Sequence, residues 1–269
     1  MGKNVKRVLY FTRHTVYTIN ALPSPLKPLE GPSLSDNVVT EVCKRGGFDM
    51  DCTREGEGFD DDLEQYGTFL FFSSGSMKQL MDPESTQGSS PISERGRDRF
   101  HEALARGAGF IGLRNTVSCS QDLIGCSYNG HAPTQNARML VKSPRFPGLE
   151  NAGDSFVIRD PWYTFKEWKK DTHVILAQDT EMAKEAEIPP ERVEMHQKIL
   201  RPAYPATWAR MNGESRVFYS SMGNFDETWT DPVFQEMLLG AIRWTTGAVD
   251  ADITPNIDAA TPQAEQLQW

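Results

Sequence analysis

The sequence predicts an open α/β domain, built on a doubly wound, mostly parallel sheet with helices on both faces. Two observations carry this. Short, continuous apolar runs at residues 8–11, 68–72 and 108–113 are strands of the kind that are covered on both faces. Between them lie amphipathic segments at helical spacing, and the resulting β-α-β rhythm implies parallel pairing.

The first run, Val8-Leu9-Tyr10-Phe11, is followed by a segment with Pro23, Pro25, Pro28 and Pro32, which no regular helix tolerates. A helix is expected over 36–45, with Val38, Val39, Val42 and Cys43 on one face and Gly46-Gly47 as its stop. A strand over 48–53 follows. Asp60-Asp61-Asp62 reads as the acidic first turn of a short solvated helix ending near Tyr66, with metal binding as the alternative. Residues 73–90 are rich in Ser, Gly and Pro and are expected to be an irregular polar loop. Ser93 caps a helix running to Arg106, with Phe100, Ala103 and Leu104 inward. Further strands are expected at 138–141, 155–159, 173–178, 206–210 and 216–220. A last helix follows over 231–246, where Phe234, Met237, Leu238, Ala241, Ile242 and Trp244 are apolar. This gives one domain over 1–247 and a polar C-terminal tail over 248–269.

The formal net charge of -9 disfavours phosphate backbones and anionic membrane surfaces as partners. No run approaches the ~20 apolar residues of a membrane helix, and no signal peptide is recognisable, so a cytoplasmic location is expected. Cys43, Cys52, Cys119 and Cys126 have none of the short spacings of zinc sites and read as reduced, mostly buried thiols.

In open parallel sheets, ligands bind outside the carboxyl ends of the strands. That selects segments beginning at Thr12-Arg13-His14, Ser73-Ser74-Gly75, Arg114-Asn115-Thr116, Asp160-Pro161-Trp162-Tyr163 and Ser221-Met222-Gly223-Asn224, with Gly130-His131 able to reach the same rim. No dinucleotide fingerprint, phosphate loop, His-Glu-x-x-His or Gly-x-Ser-x-Gly elbow is present, so no motif specifies a cofactor. Ser73-Ser74-Gly75-Ser76 reads as an ordinary flexible loop more readily than as an anion cradle. Of five histidines, His101, His173 and His196 read as structural or exposed, while His14 and His131 fall on the rim. Imidazole titrates near neutrality, which makes His131 the acid/base candidate.

The chain resembles the ThuA-like (trehalose-utilisation) proteins over nearly the whole domain. The carriers are the opening strand, Gly109-Phe110-Ile111-Gly112, Gly130-His131, Phe146-Pro147-Gly148-Leu149, Trp162-Tyr163 and His173-Val174-Ile175-Leu176. The strongest block is Tyr204-Pro205-Ala206-Thr207-Trp208-Ala209-Arg210, continuing through Arg216-Val217-Phe218-Tyr219, Met222-Gly223 and Asp231-Pro232 to Leu239-Gly240-Ala241-Ile242-Arg243-Trp244. The resemblance implies a flavodoxin-like domain related to class I glutamine amidotransferases, and a link to disaccharides and 3-keto-sugars. Arg114 stands where an amidotransferase has its elbow cysteine, which argues against glutamine hydrolysis through a thiolate. The chain also departs from the family. Histidines usual in the first loop, after the Gly-Phe-Ile-Gly strand and after Met-Gly are replaced by the Tyr17-Thr18-Ile19 stretch, Arg114 and Asn224. The acid usual before Trp-Tyr is Pro161, leaving Asp160 as the nearest carboxylate.

Three functions are compatible with this pattern. The first is an enzyme acting on a sugar or 3-keto-sugar, with His131 as general acid or base, Arg114 and Asn115 orienting the substrate, and Trp162 or Tyr163 as an apolar platform. His14, Asp160 and Asn224 complete the expected substrate-binding set. The second is a sugar- or metabolite-binding domain that has lost catalysis. The third is a metal-dependent hydrolase with ligands converging on His131. The expected partner is a small-molecule carbohydrate, with self-association left open.

Overall fold

The computed structural model describes residues 5–15, 31–85, 89–119, 121–179 and 203–264; of 117–119, 132, 133 and 162 only the backbone is described. The parallel part of its sheet comes from runs that bury both faces. Strand β1 (Arg7–Phe11) sends Val8 and Tyr10 to one core and Leu9 and Phe11 to the other. Next come α1 (Leu34–Gly46), β2 (Asp49–Thr53), β3 (Thr68–Phe71), α2 (Met77–Met81), α3 (Glu94–Ala105) and β4 (Gly109–Leu113). The chain continues through α4 (Gln121–Ile124), β5 (Ser127–Val141), β6 (Ser155–Lys166), β7 (His173–Asp179), β8 (Tyr204–Asn212) and β9 (Ser215–Ser220). It ends with α5 (Asp226–Thr230), α6 (Pro232–Thr245) and α7 (Ile257–Ala260). The nine strands form one sheet in the order β2-β1-β3-β4-β9-β8-β7-β5-β6. The first five are parallel, in the flavodoxin-like order, and the remaining pairs are antiparallel. The expected doubly wound sheet is therefore present, with an antiparallel extension added at the β9 edge.

Helices α1 and α6 cover one face and α3 the other. On the α3 face, Phe11, Phe59, Phe69, Phe71, Phe100 and Phe110 form a continuous aromatic layer, with Phe71 and Phe100 stacked at 5.4 Å. All three helices start on side-chain caps, of which the sequence predicts the one at Ser93. Ser33 and Asp36 form a reciprocal capping box on α1, and Ser93 accepts from the Gly96 N–H at the start of α3. Asp231 accepts from the Val233 and Phe234 N–H groups at the start of α6, where Pro232 occupies the first turn.

Four expectations need correction. The acidic triplet does not open an α-helix; it lies between two 3-10 turns, Gly56–Asp60 and Leu63–Gln65, with Asp62 capping the Glu64 N–H. The segment after β3 contains α2, nucleated by a Ser76–Gln79 capping box, and its Ser73, Ser74 and Leu80 are buried rather than loose. Gly130-His131 and residues 160–163 lie within the paired strands β5 and β6, not on loops after strands. The strand β5 has register shifts between Tyr128 and Gly130 and between His131 and Thr134, irregularities that bend a strand. The bend lays Phe165 of β6 against Trp208 and Tyr219, at 5.1 and 5.8 Å between rings. Finally, the described part of the tail, 248–264, is docked. The Asn256 side chain accepts from the Val174 N–H (2.6 Å) and donates to the Val174 carbonyl (3.1 Å), and Ile257 and Ala264 enter the core. The stretch at 16–30 with Pro23, Pro25 and Pro28, like His196, lies outside the described residues.

Two glycines let the loop after β5 touch α6 backbone to backbone. A Cβ on Gly148, whose φ is +88°, would lie 2.0 Å from the Glu236 carbonyl, and one on Gly240 would lie 1.7 Å from the Pro147 carbonyl. Backbone cannot yield as a side chain can, so Gly240→Ala should cost ~2–3 kcal/mol, seen as a fall of ~5–10 °C in Tm. An unchanged Tm would mean that α6 can move off this loop without loss.

Candidate functional site

The carboxyl ends of β1, β3, β4 and β9 stand side by side, and strand order reverses between β1 and β3. At that reversal His14 forms an isolated parallel bridge with Ser74. Its Nδ1 lies 2.6 Å from the Ser74 hydroxyl, its ring also bonds the Phe72 backbone, and the ring edge meets Phe72 at 6.1 Å. Burial, reinforced by the Arg114 charge, lowers its pKa to about 3 against the Phe72 bond. His14 is therefore neutral at neutral pH and ties two loops together. Its engagement and burial correct the expectation that it offers itself to substrate.

Arg114 follows β4 as the first residue of a 3-10 turn, Arg114–Cys119. Its φ is +50°, a conformation uncommon outside glycine. The Tyr219 hydroxyl of β9 donates to its carbonyl. Two residues on, the Thr116 hydroxyl donates to the Phe71 carbonyl (2.9 Å) and accepts from the Ser73 N–H (3.3 Å), pinning the turn to β3. The residue is 7% exposed, and among the described residues its Nε and Nη1 have no hydrogen-bond partner. The charge is nonetheless felt at His14 on one side and at Asp160 on the other.

Asp160 is buried on β6 and reaches the turn after β9. It accepts from the N–H groups of Gly223 (2.8 Å) and Asn224 (3.1 Å) and from the Thr228 hydroxyl (3.3 Å). Burial pushes its pKa up to about 6, against the lowering effect of the Gly223 and Asn224 N–H groups, the Arg114 charge and Thr228. The carboxylate thus acts as a clamp, and Asn224 meets it through its backbone. Tyr163 is also buried, which removes it as an open sugar platform; its hydroxyl donates to Asn115 Oδ1. Across the hairpin, its register partner His131 is exposed and lies ring to ring with it at 5.8 Å. The side chain of Trp162 lies outside the described residues.

The structure thus brings His14, Arg114, Asp160 and the Asn224 backbone to one rim, and joins His131 to it through Tyr163 and Asn115. Ser74 and Thr116 support the rim from segments that the sequence selects without giving them a role, and Tyr219 and Thr228 are supporting residues that sequence reasoning missed. Two wider grooves, of about 850 and 890 Å³, lie elsewhere and include none of His14, Arg114 or Asp160. Among the described residues no group of three or more His, Cys, Asp or Glu side chains is placed to hold a metal, and no helix is long and apolar enough to cross a membrane. Burial pushes the thiol of Cys43 up to about 12 and that of Cys126 upward as well, whereas Cys52 is exposed.

The fold and its rim define a flavodoxin-like layered α/β protein with a polar site above the parallel strands. Residues 30–245 match the ThuA family, described as trehalose utilisation, and the chain belongs to that family. The family's description implies a role in carbohydrate metabolism. A ThuA-like protein from Bacteroides uniformis shares the fold at a TM-score of 0.64 and 17% identity, over 91% of this chain and 92% of that one. Another from Parabacteroides merdae does so at 0.61 and 12%, over 91% of each. A cytoplasmic protein of Salmonella typhimurium aligns at 0.55 and 10%, over 89% of this chain and 98% of that one. No curated protein matches the sequence significantly.

The two buried titratable groups bend the pH profile in opposite senses. His14 has a folded value near 3, below its ordinary ~6.5, so the stability it contributes is present above 6.5 and is lost as pH falls towards 3. Asp160 has a folded value near 6, above its ordinary ~3.9, so its contribution is present below ~3.9 and is lost as pH rises through 6. A His14→Gln variant lacks the first effect. Measured by urea unfolding, the stability advantage of wild type over that variant should shrink by about 2 kcal/mol between pH 7 and pH 5. A gap independent of pH would show that His14 charges in the folded state.

Proposed function

We propose that the protein acts on a sugar or 3-keto-sugar held at this rim, with Arg114 and Asn115 orienting the substrate and His131 exchanging the proton. The observation that carries this reading is the division of labour among the titratable groups. His14 and Asp160 are buried and committed as struts, whereas His131 is exposed and coupled through Tyr163 to Asn115, the residue next to Arg114. Arginine does not exchange protons near neutral pH, but it donates hydrogen bonds to hydroxyl or carbonyl oxygens. Next to a ketone, His131 would take the proton from the neighbouring carbon while Arg114 stabilises the negative charge that develops on the carbonyl oxygen. Membership of a family described as trehalose utilisation supports the substrate class.

The second reading is binding without turnover. It is favoured by the same commitment of His14 and Asp160, which leaves proton transfer resting on a single exposed imidazole. Calorimetry with trehalose, sucrose and their 3-keto forms, followed by product analysis, separates the two. Turnover by the wild type is expected, and His131→Ala should lower kcat by ~100-fold or more with the ligand Kd and the Tm little changed. Activity equal to wild type would remove His131 from the mechanism, and binding with no product from the wild type would establish the second reading.

A further inference from the structure

Burying a cation is expensive, and buried charges in folded proteins are paired with an opposite charge or fully hydrogen-bonded. Arg114 meets neither condition among the described residues. Its Nε and Nη1 have no partner, although the residue is only 7% exposed. Asp160 does not fill the role. It forms no ion pair with Arg114, and both of its oxygens already accept from Gly223, Asn224 and Thr228. His14 brings no negative charge, and Ser74 occupies its Nδ1.

The Arg114 backbone is moored at the rim. Tyr219 holds its carbonyl and Thr116 anchors the turn that follows, so the backbone presents the guanidinium at the point where the rim converges.

We infer that the ligand of this site carries a carboxylate, so that the molecule bound at Arg114 is a sugar acid rather than a neutral sugar. The inference rests on the sugar-site reading given above and narrows its substrate class. A planar guanidinium matches a carboxylate in geometry, offering two parallel N–H donors. One arginine suits a single negative charge. The buried carboxylate of Asp160 nearby disfavours a doubly charged phosphate, which would meet one cation and one anion.

Calorimetry with D-gluconate and D-glucuronate, against D-glucose and trehalose as neutral probes and glucose 6-phosphate as the dianionic one, tests this on the full chain. The acids should bind wild type ~10- to 100-fold more tightly than the neutral sugars, the ratio expected of a charge-assisted hydrogen bond. Arg114→Gln should abolish that preference, and Arg114→Lys should retain part of it. The wild-type preference needs no variant, so the test survives if Arg114→Gln fails to fold. Equal binding of acids and neutral sugars, or a tighter fit for glucose 6-phosphate, overturns the carboxylate assignment and leaves the sugar site standing. Absence of binding by all five probes overturns both.

Discussion

Much of the rim hangs on how the chain leaves β4. Strand β4 is buried along its whole length, yet the next residue must turn sharply to keep its side chain above the sheet. Arg114 does so at φ +50°, which costs a residue with a Cβ ~1–2 kcal/mol. A bond from Tyr219 of the neighbouring strand and the Thr116 contacts to β3 offset that cost locally. The same turn sets Asn115 against Tyr163 and places the Arg114 charge between His14 and Asp160. If the turn relaxed, the charge would leave the rim and the link to the β5–β6 hairpin would go with it.

That hairpin explains why the antiparallel extension matters to a site built on parallel strands. In the sheet order β6 is the far edge, four strands beyond β9. It nevertheless delivers Asp160 to the turn after β9 and Tyr163 to the turn after β4, because the shifts in β5 let the hairpin curl back. Trp208 and Arg210 of β8 brace the start of this excursion. The indole donates to the Ile124 carbonyl (2.8 Å), and the buried Arg210 forms a two-pronged pair with Asp171 (2.7 and 3.1 Å) and donates to the Leu123 carbonyl (2.7 Å).

The parallel elements could be read from the sequence because two-sided burial leaves an unmistakable apolar run, as in Val8-Leu9-Tyr10-Phe11. The hairpin could not, for a physical reason. Residues 127–136 are nearly all polar or small, and their extended conformation comes from pairing with β6 rather than from any preference of their own. Helix α2 is too short for periodicity to register, and only its capping box marks it. The tail reads as polar because most of its ties run through backbone groups and the polar side chains of Asn256, Asp250 and Asp258, which composition does not distinguish from solvation. His14, Arg114 and Asp160 are legible as members of the rim, although Asp160 lies within β6 and not on a loop. Their roles are not, since burial and hydrogen-bond commitment decide whether a titratable group is a strut or a reagent.

The residues that make the family likeness strongest are mainly braces. Trp208 and Arg210 hold the excursion, while Gly148 and Gly240 allow loop and helix to meet. Of the departures that the resemblance implies, Arg114 and Asn224 fall on the rim, and the structure shows why the fold tolerates them. Asn224 serves the Asp160 clamp through its N–H, so its side chain is free to change without disturbing that clamp. Arg114 is held by its carbonyl, so the elbow persists whatever side chain it carries. Anchoring the backbone and leaving the side chain unconstrained separates the stability of the rim from its chemistry. Such a scaffold can exchange a histidine for an arginine and so change what it recognises while its architecture stays the same.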